Sequence, residues 1–235
     1  MPQLLQKKMK LKYHSVRNQA ELITYISQIG FLPLLRTGID GWSAEDALLP
    51  IYNYSPLPEG GWEWPLWEWK SDIIQESRCA YGKFLLGKAC FISGEWWADF
   101  MNYRSSIAPP VADGSIEEMI LLTLQEHRRM TTRQLRTACG FTEPKMRGKF
   151  DTYIRRLETG CRIVTEDFIY PKDKHGNPYG WGWAVLTTPQ QLFGKEACRA
   201  HCSPEESLRK MVQHFLKFLP YATEESIVSI LSRGA

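Results

Sequence analysis

The chain has 235 residues, 43% of them hydrophobic and 23% charged, with a formal net charge of +3; this is the makeup of a globular protein long enough for one large domain or two small ones. No apolar run reaches the roughly 18 residues of a membrane-spanning helix, and the basic start MPQLLQKKMKLKYH lacks the apolar core and cleavage site of a secretory signal. Six scattered cysteines suit reduced thiols better than a disulfide framework, so the composition predicts a cytoplasmic protein without membrane association.

Residues 1–14 have no periodicity and read as a flexible tail. From Ser15 to Gln28 the apolar residues Val16, Ala20, Leu22, Ile23 and Ile26 recur at helical spacing. Gly30 is the expected stop, and Pro33 opposes continuation. Residues 37–61 are dense in glycine and proline and read as loop with a short helix near residues 44–49. Next comes GWEWPLWEWK, in which Trp62 and Trp64 alternate with Glu63 and, beyond Pro65, Trp67 and Trp69 alternate with Glu68. Aromatic residues at period two predict a strand, and Pro65 puts it at a sheet edge or splits it in two. The rings then have two readings: they cover a small sheet built with residues 78–93, or they form a platform on which bases stack, at about 1–3 kcal/mol per base. Arg78–Leu85 and Lys88–Ser93 are extended candidates joined by a tight turn at Leu86-Gly87. Residues 95–103 (EWWADFMNY) predict a short helix.

Residues 106–114 (SIAPPVADG) are the expected linker between an N-terminal α+β domain, 15–105, and a second domain, 115–190. Ser115 with Glu118 is a capping box opening a helix that turns Ile116, Met119, Ile120 and Leu124 inward. A second helix starts at Met130-Thr131-Thr132, carries Leu135 and Ala138, and stops at Gly140. A third covers about residues 145–158 with Phe150, Tyr153, Ile154 and Leu157 inward. Arg162–Tyr170 and Tyr179–Leu186 are strands flanking a polar loop. Three helices followed by a two-stranded hairpin predict a winged helix. Residues 191–235 hold C-terminal helices, the first opened by Ser203-Pro204-Glu205-Glu206 and the last capped by Thr223. The expected class is α+β: a winged-helix domain, an N-terminal helix with a small aromatic-rich antiparallel sheet, and C-terminal helices.

Charge is spread unevenly. Between Arg128 and Arg162 ten Lys/Arg face three Asp/Glu, a local +7 that leaves −4 for the rest of the chain. Such a basic stretch is the footprint of polyanion binding. In a helix-turn-helix the second helix of the motif enters the major groove and its neighbours hold phosphates. The candidate DNA contacts are therefore Lys145, Arg147, Lys149, Arg155 and Arg156 on that helix, Arg133 and Arg136 on the one before it, and Lys172, Lys174 and His175 at the wing tip. Trp62, Trp64, Trp67 and Trp69 are the candidate base-stacking residues. Cys198, His201, Cys202 and His214 lack the paired spacing of a metal site and read as structural. Carboxylates of the N-terminal half (Asp40, Glu45, Asp46, Glu63, Glu68, Glu95, Asp99) show no pair singled out by spacing. There is no phosphate loop, no HExxH and no nucleophile elbow.

Several segments carry a family resemblance. Residues 29–35 (IGFLPLL), 131–136 (TTRQLR) and the stretch from Gly176 to Trp183 resemble the AlkZ/YcaQ family of bacterial DNA glycosylases. Trp67–Lys70, Tyr81–Phe84, Gly87–Ala89 and Phe91–Arg104 resemble, more closely, the short AlkZ-related proteins; this similarity spans about residues 20–231. The resemblance implies winged helices on a concave DNA-binding surface, double-stranded DNA as partner, and no metal or cofactor. Enzymes of the family use a Gln-x-Gln or Gln-x-Asp motif after the first helix, where this chain has Pro33-Leu34-Leu35. No catalytic residue is carried over, and the nearest polar substitutes are Arg36, Asp40 and Glu45. The expected function is a DNA-binding winged-helix protein related to alkylpurine and crosslink glycosylases but without their catalysis. The alternatives are an active glycosylase with a divergent site, and a module that holds a protein partner through its aromatic patch.

Overall fold

A computed structural model describes residues 15–52, 55–56, 62–176, 180 and 182–234, with positions 55, 56, 62 and 63 described for their backbone alone. Residues 1–14, expected as a tail, and residues 177–179 and 181 lie outside the described residues.

Helix α1 (Gln19–Ile29) starts where the Asn18 side chain accepts the Glu21 amide at 2.9 Å and buries Leu22, Tyr25, Ile26 and Ile29. Gly30 closes it at φ +81°; a Cβ there would lie 2.5 Å from the Trp96 ring, so both conformation and space require glycine. Strand β1 (Phe31–Pro33) follows at once, and its last residue lacks the N–H that a further neighbour would need, as suits a sheet edge. After the short α2 (Ala44–Ala47), strands β2 (Ser55–Pro56) and β3 (Trp62–Glu63) pair with each other. Helix α3 (Pro65–Ser77), strands β4 (Ala80–Leu85) and β5 (Lys88–Ile92), and helix α4 (Gly94–Ile107) complete the first half. Leu86 and Gly87 both take positive φ, +56° and +66°, which is the twist a two-residue hairpin needs.

The second half runs α5 (Ile116–His127), β6 (Arg129–Thr131), α6 (Thr132–Ala138), α7 (Arg147–Thr159), β7 (Val164–Ile169) and β8 (Trp183–Thr187). It ends with α8 (Pro189–Phe193), α9 (Pro204–Phe218) and α10 (Glu224–Ser232). Ser203 and Glu206 cap α9 reciprocally, as their sequence foretold, and Thr131 and Gln134 do the same for α6. In α5 Ile120 and Leu124 are buried, but Met119, expected inward, is 39% exposed, because α6 and α7 cover a narrower stripe than the periodicity allowed. Ala138 likewise faces outward.

The α+β character is plain: helices surround a six-stranded antiparallel sheet in the order β1-β5-β4-β7-β8-β6. Its continuity rests on the single pair Tyr81↔Thr165 between β4 and β7, so strands from both sides of residues 106–114 share one sheet. The large core includes Leu22, Phe31, Trp42, Phe84, Phe100 and Phe215; a smaller one gathers Ile120, Leu124, Leu135, Phe150, Leu157 and Leu186. Burying this many aromatic and branched side chains, at about 25 cal/mol per Å² of apolar surface, is the main force holding the layers together. Helices α9 and α10 pack back on α4 and add Met211, Phe215 and Ile227 to the large core. No helix among the described residues is long and apolar enough to cross a membrane.

GWEWPLWEWK departs from its expectation. Only Trp62 and Glu63 are strand; from Pro65 onward the stretch is α3. Proline suits the first helical position, where its missing N–H is not needed, and it presets φ. The spacing Leu66, Lys70, Ile73, Ile74 then buries one helical face. The period-two alternation of tryptophans was real, but the three- and four-residue spacing of the residues behind them decided the conformation.

Candidate nucleic-acid interface

Helix α7 buries Phe150, Ile154 and Leu157 along one stripe, which turns Lys149 and Arg155 to solvent, with Arg147 exposed at the helix start. None of these three cations is in a salt bridge among the described residues. Other cations are already engaged. Lys145 pairs with Glu143 at 3.0 Å, and Arg156 reaches Glu117 of α5 at 3.3 Å. On α6, Arg133 stands 5.2 Å over the Trp183 ring at the base of β8, and Arg136 is half-buried. Lys172, Lys174 and His175 are exposed on the loop after β7, where the His175 amide donates to Asp173 at 2.8 Å. The cations predicted from sequence thus fall on α6, on α7 and its start, and on the loop after β7; Arg147, Lys149 and Arg155, like Lys172 and Lys174, are exposed and in no salt bridge among the described residues.

The tryptophans are placed differently. Trp64 and Trp67, three residues apart at the start of α3, stack at 5.4 Å and 18°. Trp67 also meets Phe168 of β7 at 6.1 Å, and Trp69 meets Tyr52 at 5.4 Å. All three are half-buried against other rings of the protein; the Trp62 side chain lies outside the described residues. Between Trp67 and β7 sits a residue that pattern reading passed over. Lys70 is fully buried, its ammonium 3.9 Å from the Trp67 ring centre, 4.2 Å from Phe168 and 5.0 Å from Tyr170. It donates to the Trp67 carbonyl at 2.7 Å and to the Tyr170 hydroxyl. Burial lowers its pKa to about 7, opposed by the Glu68 carboxylate. Further along the same seam Ser71 donates to Asp167 at 3.0 Å and Gln75 to the Glu166 carbonyl at 2.8 Å. Helix α3 is stitched to β7 along its length. A helical reading after Pro65 would have found Lys70, since it falls on the buried stripe.

The position expected to hold glycosylase chemistry is occupied by structure. Pro33 ends β1 opposite Cys90 and is buried, Leu34 after it is buried as well, and Leu35 is 41% exposed. The substitutes behind it are busy. The Arg36 amide donates to Glu45 at 3.0 Å, its side chain to Asp46 at 3.1 Å, and Lys88 binds its carbonyl. Asp46 also accepts from Ser43 at 2.8 Å and from the Gly41 amide at 3.2 Å, which closes the loop over Trp42. Asp40 is exposed on that loop.

Two more groups escaped the sequence reading. Arg104 is fully buried with no carboxylate partner among the described residues; it donates to the Thr159 carbonyl at 2.8 and 3.0 Å and to that of Leu231 at 2.8 Å, the carbonyl-rich ends of α7 and α10. Glu158 is buried beside β4, and desolvation raises its pKa to about 7 against the pull of Lys83. Cys198 is buried, while His214 meets the Ile29 carbonyl at 2.9 Å and the Trp96 ring at 4.5 Å. No group of three or more His, Cys, Asp or Glu arranged for a metal occurs among the described residues.

No curated protein matches the chain. Among solved structures, the DNA glycosylase AlkZ of Streptomyces sahachiroi is similar at a TM-score of 0.43 and 10% identity, covering 69% of this chain and 49% of that one. The chain therefore corresponds to about half the length of that protein. The AlkZ-related family matches residues 16–232, nearly everything from α1 through α10 that the fold and the cationic surface are built on. The chain belongs to the AlkZ-related family.

Proposed function

We propose that the chain is a winged-helix protein that binds double-stranded DNA, related to DNA glycosylases but without glycosylase chemistry of its own. The order α5, β6, α6, α7, β7, β8 is that of a winged helix, with α7 as the groove-entering helix and the loop after β7 as the wing. The observation that carries the reading is the trio Arg147, Lys149 and Arg155, exposed on α7 and free of salt bridges among the described residues. Cations left without internal partners are free to replace the counterions on phosphate, which supplies most of the sequence-independent affinity. Membership of the AlkZ-related family supports the choice of DNA as ligand. The loss of catalysis is supported by Pro33, Leu34 and Leu35, none of which offers a side chain to hold water or stabilise a sugar cation.

The test compares intact, abasic and alkylated duplexes at low and moderate salt, with base release scored on the same samples. The expected result is salt-sensitive binding to all three duplexes, weakened by Arg147→Ala and Lys149→Ala, with no base released. Absence of duplex binding at low salt overturns the DNA reading; base release from alkylated duplex overturns the loss of catalysis.

A further inference from the structure

One cluster of reactive side chains lies away from the cationic surface, where α4 meets the start of α9. Of the six cysteines, five are buried and Cys202 alone is half-exposed. Its sulfur is held from both helices. The Lys210 ammonium donates to Sγ at 3.2 Å, and the Asp99 carboxylate lies 3.3 Å from the same sulfur. Asp99 is also 3.4 Å from the Lys210 nitrogen and accepts from Ser207 at 2.7 Å. Asn102 of α4 fixes the backbone here, donating to the Cys202 carbonyl and to Ser207, each at 3.0 Å. Thiol, amine and carboxylate are thus mutually in contact, and the Lys210 side chain is 50% exposed, so small reagents have access.

We propose that Cys202 and Lys210 are a peroxide-sensitive pair: hydrogen peroxide converts the Cys202 thiol to a sulfenic acid, and the Lys210 amine then closes on that sulfur to form a reversible S–N crosslink. In the first step the thiol gives its proton to Asp99, the thiolate attacks one peroxide oxygen, and the O–O bond breaks; water leaves once the departing hydroxide takes up that proton. In the second, Lys210 passes a proton to Asp99 and its nitrogen pair attacks sulfur. The S–O bond breaks, the hydroxyl leaves as water with one proton from nitrogen, and the remaining proton goes to solvent. Sulfur is oxidised by two electrons and peroxide is reduced; the net change in the protein is the loss of two hydrogens. The observed N–S separation of 3.2 Å is already within the about 3–3.5 Å of an attack-ready pair. The bond to the Cys202 sulfur, then Asp99, holds the Lys210 ammonium above its usual range, so the second step needs Asp99 as proton acceptor.

The full chain is treated with hydrogen peroxide, and intact mass and tryptic peptides are read by mass spectrometry, with and without dimedone as a sulfenic-acid trap. The expected result is a reversible loss of two hydrogens, missed cleavage at Lys210, a Cys202–Lys210 linked peptide, and reversal by dithiothreitol. With Lys210→Met the linked species vanishes and dimedone marks Cys202 instead; with Cys198→Ser the loss of two hydrogens persists. The proposal is overturned if the loss disappears in Cys198→Ser, which would mean a Cys198–Cys202 disulfide. It is equally overturned if dimedone marks Cys202 to the same extent in the wild type and in Lys210→Met, or if Cys202 is oxidised no faster than the buried cysteines.

Discussion

The seam between α3 and β7 and the surface of α7 both gather cations, and the two use them in opposite ways. Lys70 in that seam, and Arg104 where α4 meets the ends of α7 and α10, are buried and engaged by ring faces, carbonyls and a phenol. Arg147, Lys149 and Arg155 are exposed and bound to no carboxylate among the described residues. A cation taken out of water must find replacement donors of electron density or lose its proton; one left in water keeps its charge for a ligand. The same residue types therefore serve cohesion in one region and stay exposed to solvent in the other, and burial draws the line between them.

The largest effect that would sharpen this contrast is at Arg104. Arg104→Met leaves the Thr159 and Leu231 carbonyls buried without donors, and denaturant unfolding should show a loss of about 3 kcal/mol. If stability is unchanged, the interior half of the comparison breaks.

Next come the two buried groups poised near neutrality. Lys70 has its folded pKa lowered to about 7, so between there and the ordinary lysine value the unfolded chain binds the extra proton. Stability contributed at this site rises with pH across that window, and Lys70→Met should flatten the rise. Glu158 runs the other way. Its pKa is raised from 4.5 to about 7, so in that window the folded chain holds a proton the unfolded chain has lost. Stability should fall as pH climbs through it, and Glu158→Gln should remove the fall. Thermal or urea unfolding from pH 4.5 to 10, each variant against wild type, reads both slopes.

On the surface of α7 smaller changes are expected, and in binding only. Arg147→Ala and Lys149→Ala should each reduce the slope of log affinity against log salt by about 0.9, with unfolding midpoints unchanged. The smallest effect belongs to Arg156, whose bond to Glu117 already uses part of its charge. Arg156→Ala should cost under about 1 kcal/mol of stability and weaken DNA binding less than Lys149→Ala does. Equal losses for the two would show that the Glu117 pair opens on binding.

Much of the architecture was legible because it is written locally. The capping box at Ser203, the hairpin at Leu86-Gly87 and the apolar stripe of α7 each involve residues within a few positions of one another. The cationic candidates followed from the same stripe, since the face opposite a buried one is exposed. The errors came where two local signals competed. In GWEWPLWEWK the alternating rings suggested a strand, while Pro65 and the Leu66–Lys70–Ile73 spacing specified a helix.

What the sequence determined by itself was the run of helices and strands, the basic excess near α7, and the apolar Pro33-Leu34-Leu35 where family enzymes carry polar catalytic groups. What only the tertiary structure decided was which charges are spent inside. Lys70, Arg104 and Glu158 look like surface residues in a one-dimensional reading, as do most residues of their type. They become interior because partners 55 to 127 residues distant for Arg104, and 100 for Lys70 and Tyr170, close around them. A buried charge is stable only in the company of such partners, and contacts over that span are made by the folded chain, not by any window of its sequence.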